Sequence, residues 1–161
     1  MTTDEEIQAV GDDVEFDRSV IGKVQEIGSL TVTRDQIDRY CEVIGETNPL
    51  YTDDEAAKHG PYREIIAPAG MLQTMPLGSP PDAGVKFGTA SFAAGRRMEF
   101  FTPIRVGDTI TARAQVKEVY QKTGRTGRMV FVVSRWDYVN QRGEEVAAIE
   151  QSFVHREVGP Q

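Results

Sequence analysis

The runs TASFAAGRRMEFF (89–101), DTITARAQVKEVYQ (108–121), MVFVVSRWDYV (129–139) and VAAIEQSFVH (146–155) decide the fold. Each is strand-length or longer, alternates apolar and polar side chains over much of its course, and carries β-branched and aromatic residues. Gly124 and Gly127 supply one break between them and Asn140-Gln141-Arg142-Gly143 another. Strands joined by turns this short run antiparallel, because a parallel neighbour needs a crossover of a dozen or more residues. Gly124 to Gly127 is therefore a hairpin turn and not a phosphate-cradling loop, which would lead into a helix.

Upstream, the pattern shortens and turns helical. Leu30 and Val32 alternate with Thr31 and Thr33 as a short strand does, and apolar spacing then follows Ile37, Tyr40, Cys41 and Ile44. Thr33 with Gln36 makes a capping-box start and Gly45 a C-terminal stop, so a three-turn amphipathic helix is expected. Asn48-Pro49 forces a turn, and Thr52-Asp53-Asp54-Glu55 opens another short helix with acids at its positive end. Ala69 to Met75 makes a compact helix before Pro76, and 78–88 is loop. The chain is thus α+β, an antiparallel sheet of about five strands with helices gathered in its first half. The helix from Ala69 covers the apolar face of the sheet, which is the hot-dog arrangement. Such a sheet keeps an open edge, and pairing through it into a dimer or larger assembly is expected.

The domain plan is an acidic arm (1–17), one domain (18–157) and a short tail (158–161), a size suited to a single core. The arm reads as either mobile or packed on a partner, with Val14, Phe16, Val20 and Ile21 able to dock. With 18 basic residues against 25 acidic ones the net charge is -7, and no Lys/Arg stripe offsets it, which argues against nucleic acid. No apolar run approaches the ~18 residues of a membrane span, and the first residues are acidic where a leader would be basic, so a cytoplasmic protein is expected. One cysteine and two histidines support neither a disulfide framework nor a metal site. Cys41 falls on the apolar stripe of the first helix and reads as a core residue. His59 reads as a surface residue, and His155, in the last strand, as an edge or interface residue.

Four motifs together resemble the MaoC-like (R)-specific enoyl-thioester hydratases and dehydratases. YCEVIGETNPLYTDDEAA (40–57) is similar to the family's Gly-Asp-x-Asn-Pro-hydrophobic-His signature, with Gly45, Asn48, Pro49 and Leu50 intact. IIAPAGM (65–71) resembles the Ile-Ala-His-Gly-Met opening of the central helix, FFTPIRVGDT (100–109) a strand and turn, and NQRGE (140–144) the last hairpin. The resemblance implies water addition to, or removal from, the C2–C3 bond of an acyl thioester carried on coenzyme A or an acyl carrier protein, with no other cofactor. That chemistry needs an acid/base pair and a donor to the thioester oxygen.

Carried over position by position, the signature Asp falls on Glu46 and the His on Tyr51. A phenol with a pKa near ~10 is no resting base at neutral pH, and an added methylene displaces a carboxylate by about 1 Å, enough to cost ~100-fold. Asn48, Pro49, Gly70 and Met71 keep the substrate-binding frame, and Gly70 matches the helix-start glycine whose amide would hold the thioester oxygen. The departure resembles the N-terminal, degenerate hot-dog of FAS1-type dehydratases, in which a partner hot-dog carries Asp and His. A non-catalytic, substrate-shaping subunit with its catalytic pair on another polypeptide is therefore expected. A self-sufficient homodimeric hydratase or thioesterase using Glu46, and a thioester-binding hot-dog without catalysis, stand as alternatives. Arg96, Arg97, Arg125 and Arg128 are candidate contacts for coenzyme A or phosphopantetheine phosphates.

Overall fold

A computed structural model of the chain describes residues 8–125 and 127–158, so the outer arm (1–7) and most of the tail (159–161) lie outside the described residues. The strands are β1 (Gln8–Ala9), β2 (Gln25–Thr31), β3 (Ala90–Phe100), β4 (Thr109–Gly124), β5 (Gly127–Val139) and β6 (Glu145–Arg156). The α-helices are α1 (Arg34–Ile44), α2 (Pro49–Thr52) and α3 (Asp54–His59), with 3-10 turns at Arg18–Val20 and Ala69–Thr74. All strand pairs are antiparallel, in the order β1-β4-β5-β6-β3, and β2 lies beside β4 on the same side as β1. Six strands thus fill five positions across the sheet, matching the expected α+β hot-dog.

The register sorts the side chains into two faces. Ile110, Ala112 and Ala114 of β4 stand level with Tyr138 and Trp136 of β5, then Ala147 and Ile149 of β6, then Phe100 and Met98 of β3. This face carries the main core, closed by Met71, Leu72 and Met75 from the 3-10 turn and backed by Ile37 and Cys41 of α1. Burying a side chain such as Leu72 or Ile110 contributes roughly 1.5–3 kcal/mol each. The opposite face is an ionic ladder: Glu150 accepts from Lys117 at 2.8 Å and Arg135 at 3.0 Å, while Arg135 also pairs with Asp137. One apolar and one charged face follow directly from the period-2 alternation.

α1 begins on the expected capping box, with Thr33 and Gln36 bonding reciprocally, and ends at Gly45 in the left-handed conformation (φ 69°) that a glycine adopts without strain. Asn48-Pro49, expected as a turn, starts a helix instead. The Asn48 side chain accepts from the Leu50 amide at 3.0 Å, and Pro49 takes the first helical position, where its missing N–H costs nothing. Asp53 then caps α3 through the Glu55 and Ala56 amides.

Two segments sit across the sheet differently from a plain hot-dog. The cover expected from Ala69 is a helix of the tighter 3-10 kind, six residues long, bounded by Pro68 and Pro76. The loop after it runs on along the same face to residue 88. The inner part of the acidic arm is docked: Val10 and Val14 are buried with Val130, against Phe16, Val85, Phe87 and Val119. Arm and loop are joined where the Asp17 amide donates to Ala83 (2.8 Å) and Lys86 donates to Glu15.

Candidate functional site

The junction of α1 and α2 brings Glu46, Asn48, Pro49 and Tyr51 together. Glu46 is half-buried, and its carboxylate accepts the backbone N–H groups of Thr47 and Asn48, both at 2.9 Å. It is folded back onto its own turn. Asn48 and Pro49 are occupied as the cap and first residue of α2.

Tyr51 is half-buried and lines a pocket of about 240 Å3 with Tyr62, Ala69, Phe100, Thr102 and Ile104. Burial pushes its hydroxyl above the usual tyrosine range, and the nearby Glu46 carboxylate and Tyr62 add to the rise. The proton stays on. Burial likewise raises the Cys41 thiol, with Glu46 and Asp38 contributing, so this buried residue is an inert core thiol.

Ala69 and Gly70 open the 3-10 turn, and of the two Ala69 lines the Tyr51 pocket. A side chain at Gly70 would put a Cβ 2.7 Å from the Tyr40 hydroxyl, so any larger residue there would have to push the end of the Tyr40 side chain aside. The Gly70 amide precedes the first 3-10 hydrogen bond, which runs from Met71 N–H to the Pro68 carbonyl, and it has no acceptor within the helix. Met71 points into the main core and is buried.

The four candidate arginines do not form one cluster. Arg96 and Arg97 lie on opposite faces of β3. Arg97 pairs with Glu99 on the charged face, while Arg96 turns to the core face, donating to Gln151 at 2.6 Å and to Gln73. Arg128 is paired with Asp13 and lies over the Phe87 ring at 4.7 Å, and Arg125 is exposed in the β4–β5 hairpin. The register sets Arg128 level with the start of β3, so roughly six residues, or about 20 Å at ~3.3 Å each, separate it from Arg96. His59 Nδ1 contacts the Glu55 carbonyl in an exposed helix end. His155 is half-buried on the core face, and burial lowers its pKa, opposed by Asp82.

Among the described residues no group of His, Cys, Asp or Glu could hold a metal ion. No helix among the described residues is long and apolar enough to cross a membrane. Sequence reading did not single out Tyr62, Gln73, Trp136, Tyr138 or Gln151. The alternation of Trp136 with Tyr138 marks a shared face, but nothing in the sequence says which polar groups face them across the fold.

The family model described as "FAS1-like, dehydratase domain region" matches residues 19–149. A protein of Thermomonospora curvata named "Probable enoyl-CoA hydratase alpha subunit" is 30% identical over 129 residues, 69% of this chain and 40% of that protein. Among solved structures, the ChsH1-ChsH2 complex from Mycobacterium tuberculosis superposes with a TM-score of 0.69 at 22% identity, covering 87% of this chain and 86% of that one. A MaoC-like dehydratase from Rhodospirillum rubrum superposes with a TM-score of 0.64 at 21% identity, over 87% and 94% of the two chains.

Proposed function

Because the chain belongs to the FAS1-like dehydratase domain region family, we propose that it is the non-catalytic, substrate-shaping hot-dog of a two-subunit (R)-specific enoyl-thioester hydratase or 3-hydroxyacyl-thioester dehydratase. One observation carries this reading. At the two positions where an acid/base pair would hold a water, Glu46 is bonded to its own turn and Tyr51 keeps its proton, half-buried in a pocket shared with Tyr62 and Thr102. The Tyr51 phenol is no resting base, and Glu46 gives one carboxylate oxygen to backbone amides and does not line the Tyr51 pocket. The pocket beside Ala69 still suits part of an acyl thioester, carried on coenzyme A or an acyl carrier protein. The Asp and His come from a second hot-dog that pairs along the open edge of β3, in the cytoplasm.

The test is to assay enoyl-CoA hydration by the purified chain alone and with a hot-dog that carries the complete Gly-Asp-x-Asn-Pro-x-His signature. Turnover is expected from the pair only. Glu46→Gln should leave the rate of the pair far from the ~100-fold loss expected for a general base. Hydration or thioester hydrolysis by the lone chain that Glu46→Gln abolishes would replace this reading with a self-sufficient homodimer. Stoichiometric acyl-CoA binding without turnover in any pairing would reduce it to a binding protein.

A further inference from the structure

On the other side of the 3-10 turn from Tyr51 lies a second pocket of about 170 Å3, walled by Leu72, Met75, Leu77 and Ile149 and by Trp136 and Tyr138. Among the described residues, its one charged lining residue is Arg96. At a share of ~30 Å3 per water, the space takes on the order of six non-hydrogen atoms. It exists because the cover on this face ends at Thr74, leaving the sheet beneath residues 75–78 without a helix.

The guanidinium is oriented but not neutralised. Gln151, 5% exposed, spends its amide N–H groups on the carbonyls of Gly95 (3.0 Å) and Ser152 (3.2 Å), which aims its oxygen at Arg96 Nε (2.6 Å). Gln73, from the 3-10 turn, accepts from Nη1. Arg97, Arg128 and Arg135 each have a carboxylate partner, whereas among the described residues Arg96 has only these two neutral amides. Its outer edge, with Nη2 and the second Nη1 hydrogen, is left for a further acceptor in the fork geometry that suits a carboxylate. Tyr138 is 6% exposed, and its hydroxyl has no hydrogen-bond partner among the described residues. Tyr138 and Arg96 line the same pocket, where burial raises the Tyr138 pKa and the Arg96 charge opposes the rise. By contrast, among the described residues no charged side chain lines the Tyr51 pocket.

We propose that the Arg96 pocket is an anion subsite that receives a carboxylate carried on the acyl part of the thioester, with Arg96 as the binding residue and Tyr138 as a second donor. The proposal rests on the thioester-binding reading and assigns the substrate class of the site: dicarboxylic acyl thioesters in preference to methyl-ended ones.

Trp136 lines the pocket and is the only tryptophan of the chain, so its emission reports on occupancy. The purified chain is titrated at constant ionic strength with hexanoate and hexan-1-ol, then with adipyl-CoA and hexanoyl-CoA. The carboxylate ligand of each pair should bind at least ~10-fold more tightly. Arg96→Gln should lower its affinity by about 10- to 100-fold without changing that of the neutral ligand. Tyr138→Phe should give a smaller loss, and unchanged urea midpoints in both variants establish that the fold is intact. Equal affinities within each pair, or a carboxylate preference that survives Arg96→Gln, would overturn the subsite while leaving the thioester reading in place. Tight hexanoate binding with no response to either acyl-CoA would overturn the assignment to an acyl chain and the thioester reading with it.

Discussion

Glu46 and Asp108 are both carboxylates in turns, yet they do different work. Glu46 satisfies two amides of its own loop, a local role that any short acceptor could fill. Asp108 is 2% exposed and binds parts of the chain far apart in sequence. It accepts from the Arg105 amide (2.9 Å), from Gln141 (3.0 Å) and from Arg142 Nη1 (2.7 Å), tying the turn before β4 to the β5–β6 hairpin. Burial alone would raise its pKa, but the hydrogen bonds from Arg142, Arg105 and Gln141 outweigh it and hold the group below the usual carboxylate range. A depressed folded pKa means that this stabilisation is fully present above the unfolded value of ~3.9 and is lost as pH falls through the lower folded value. Asp108→Asn should therefore cost about 1–3 kcal/mol at neutral pH in urea unfolding. It should also flatten the loss of stability on the acid side, and an unaltered acid profile would refute the role.

At the scale of elements, the cover over the sheet is short for a local reason. Pro68 and Pro76 leave room for two 3-10 turns, and a proline at 76 biases Met75 to the extended conformation it adopts (ψ 132°). The loop beyond Pro76 is held by backbone contact: the Gly78 amide donates to the Ile27 carbonyl of β2 at 3.0 Å, and a Cβ on Gly78 would lie 2.5 Å from that oxygen. Backbone atoms cannot rotate away as a side chain can. Gly78→Ala should separate β2 from the loop and cost about 1–3 kcal/mol, as overpacking does. Thr33→Ala removes only the α1 cap and should cost about 1 kcal/mol. Urea midpoints rank the two, and a neutral Gly78→Ala would show that the close approach does not constrain the loop.

At the scale of the whole molecule, β6 occupies one side of β3, and along the other no strand pairs with it among the described residues. Phe92, Met98, Phe100 and Phe101 are exposed on or beside this strand. An open edge with aromatic residues is a template for another strand, and a lysine there disfavours pairing. Phe92→Lys should shift the chain towards the single-chain mass in sedimentation, with its urea midpoint nearly unchanged. Unaltered association would place the contact elsewhere. Most of the architecture is legible in the sequence because it depends on periodicity: the four long strands, the α1 caps and the family frame around Asn48 and Pro49 all rest on neighbours in the chain. The departure at Glu46 and Tyr51 is legible for the same reason, being a matter of residue identity at motif positions. The sequence by itself thus determined the hot-dog class and the family, with Glu46 and Tyr51 at the signature positions. Only the tertiary structure decided that Arg128 is held by Asp13 of the arm, and that Gln73, Tyr138 and Gln151 meet around Arg96. Those meetings join residues 73, 96, 138 and 151 through strand register and loop closure, and no local pattern encodes which distant side chains a register will set side by side.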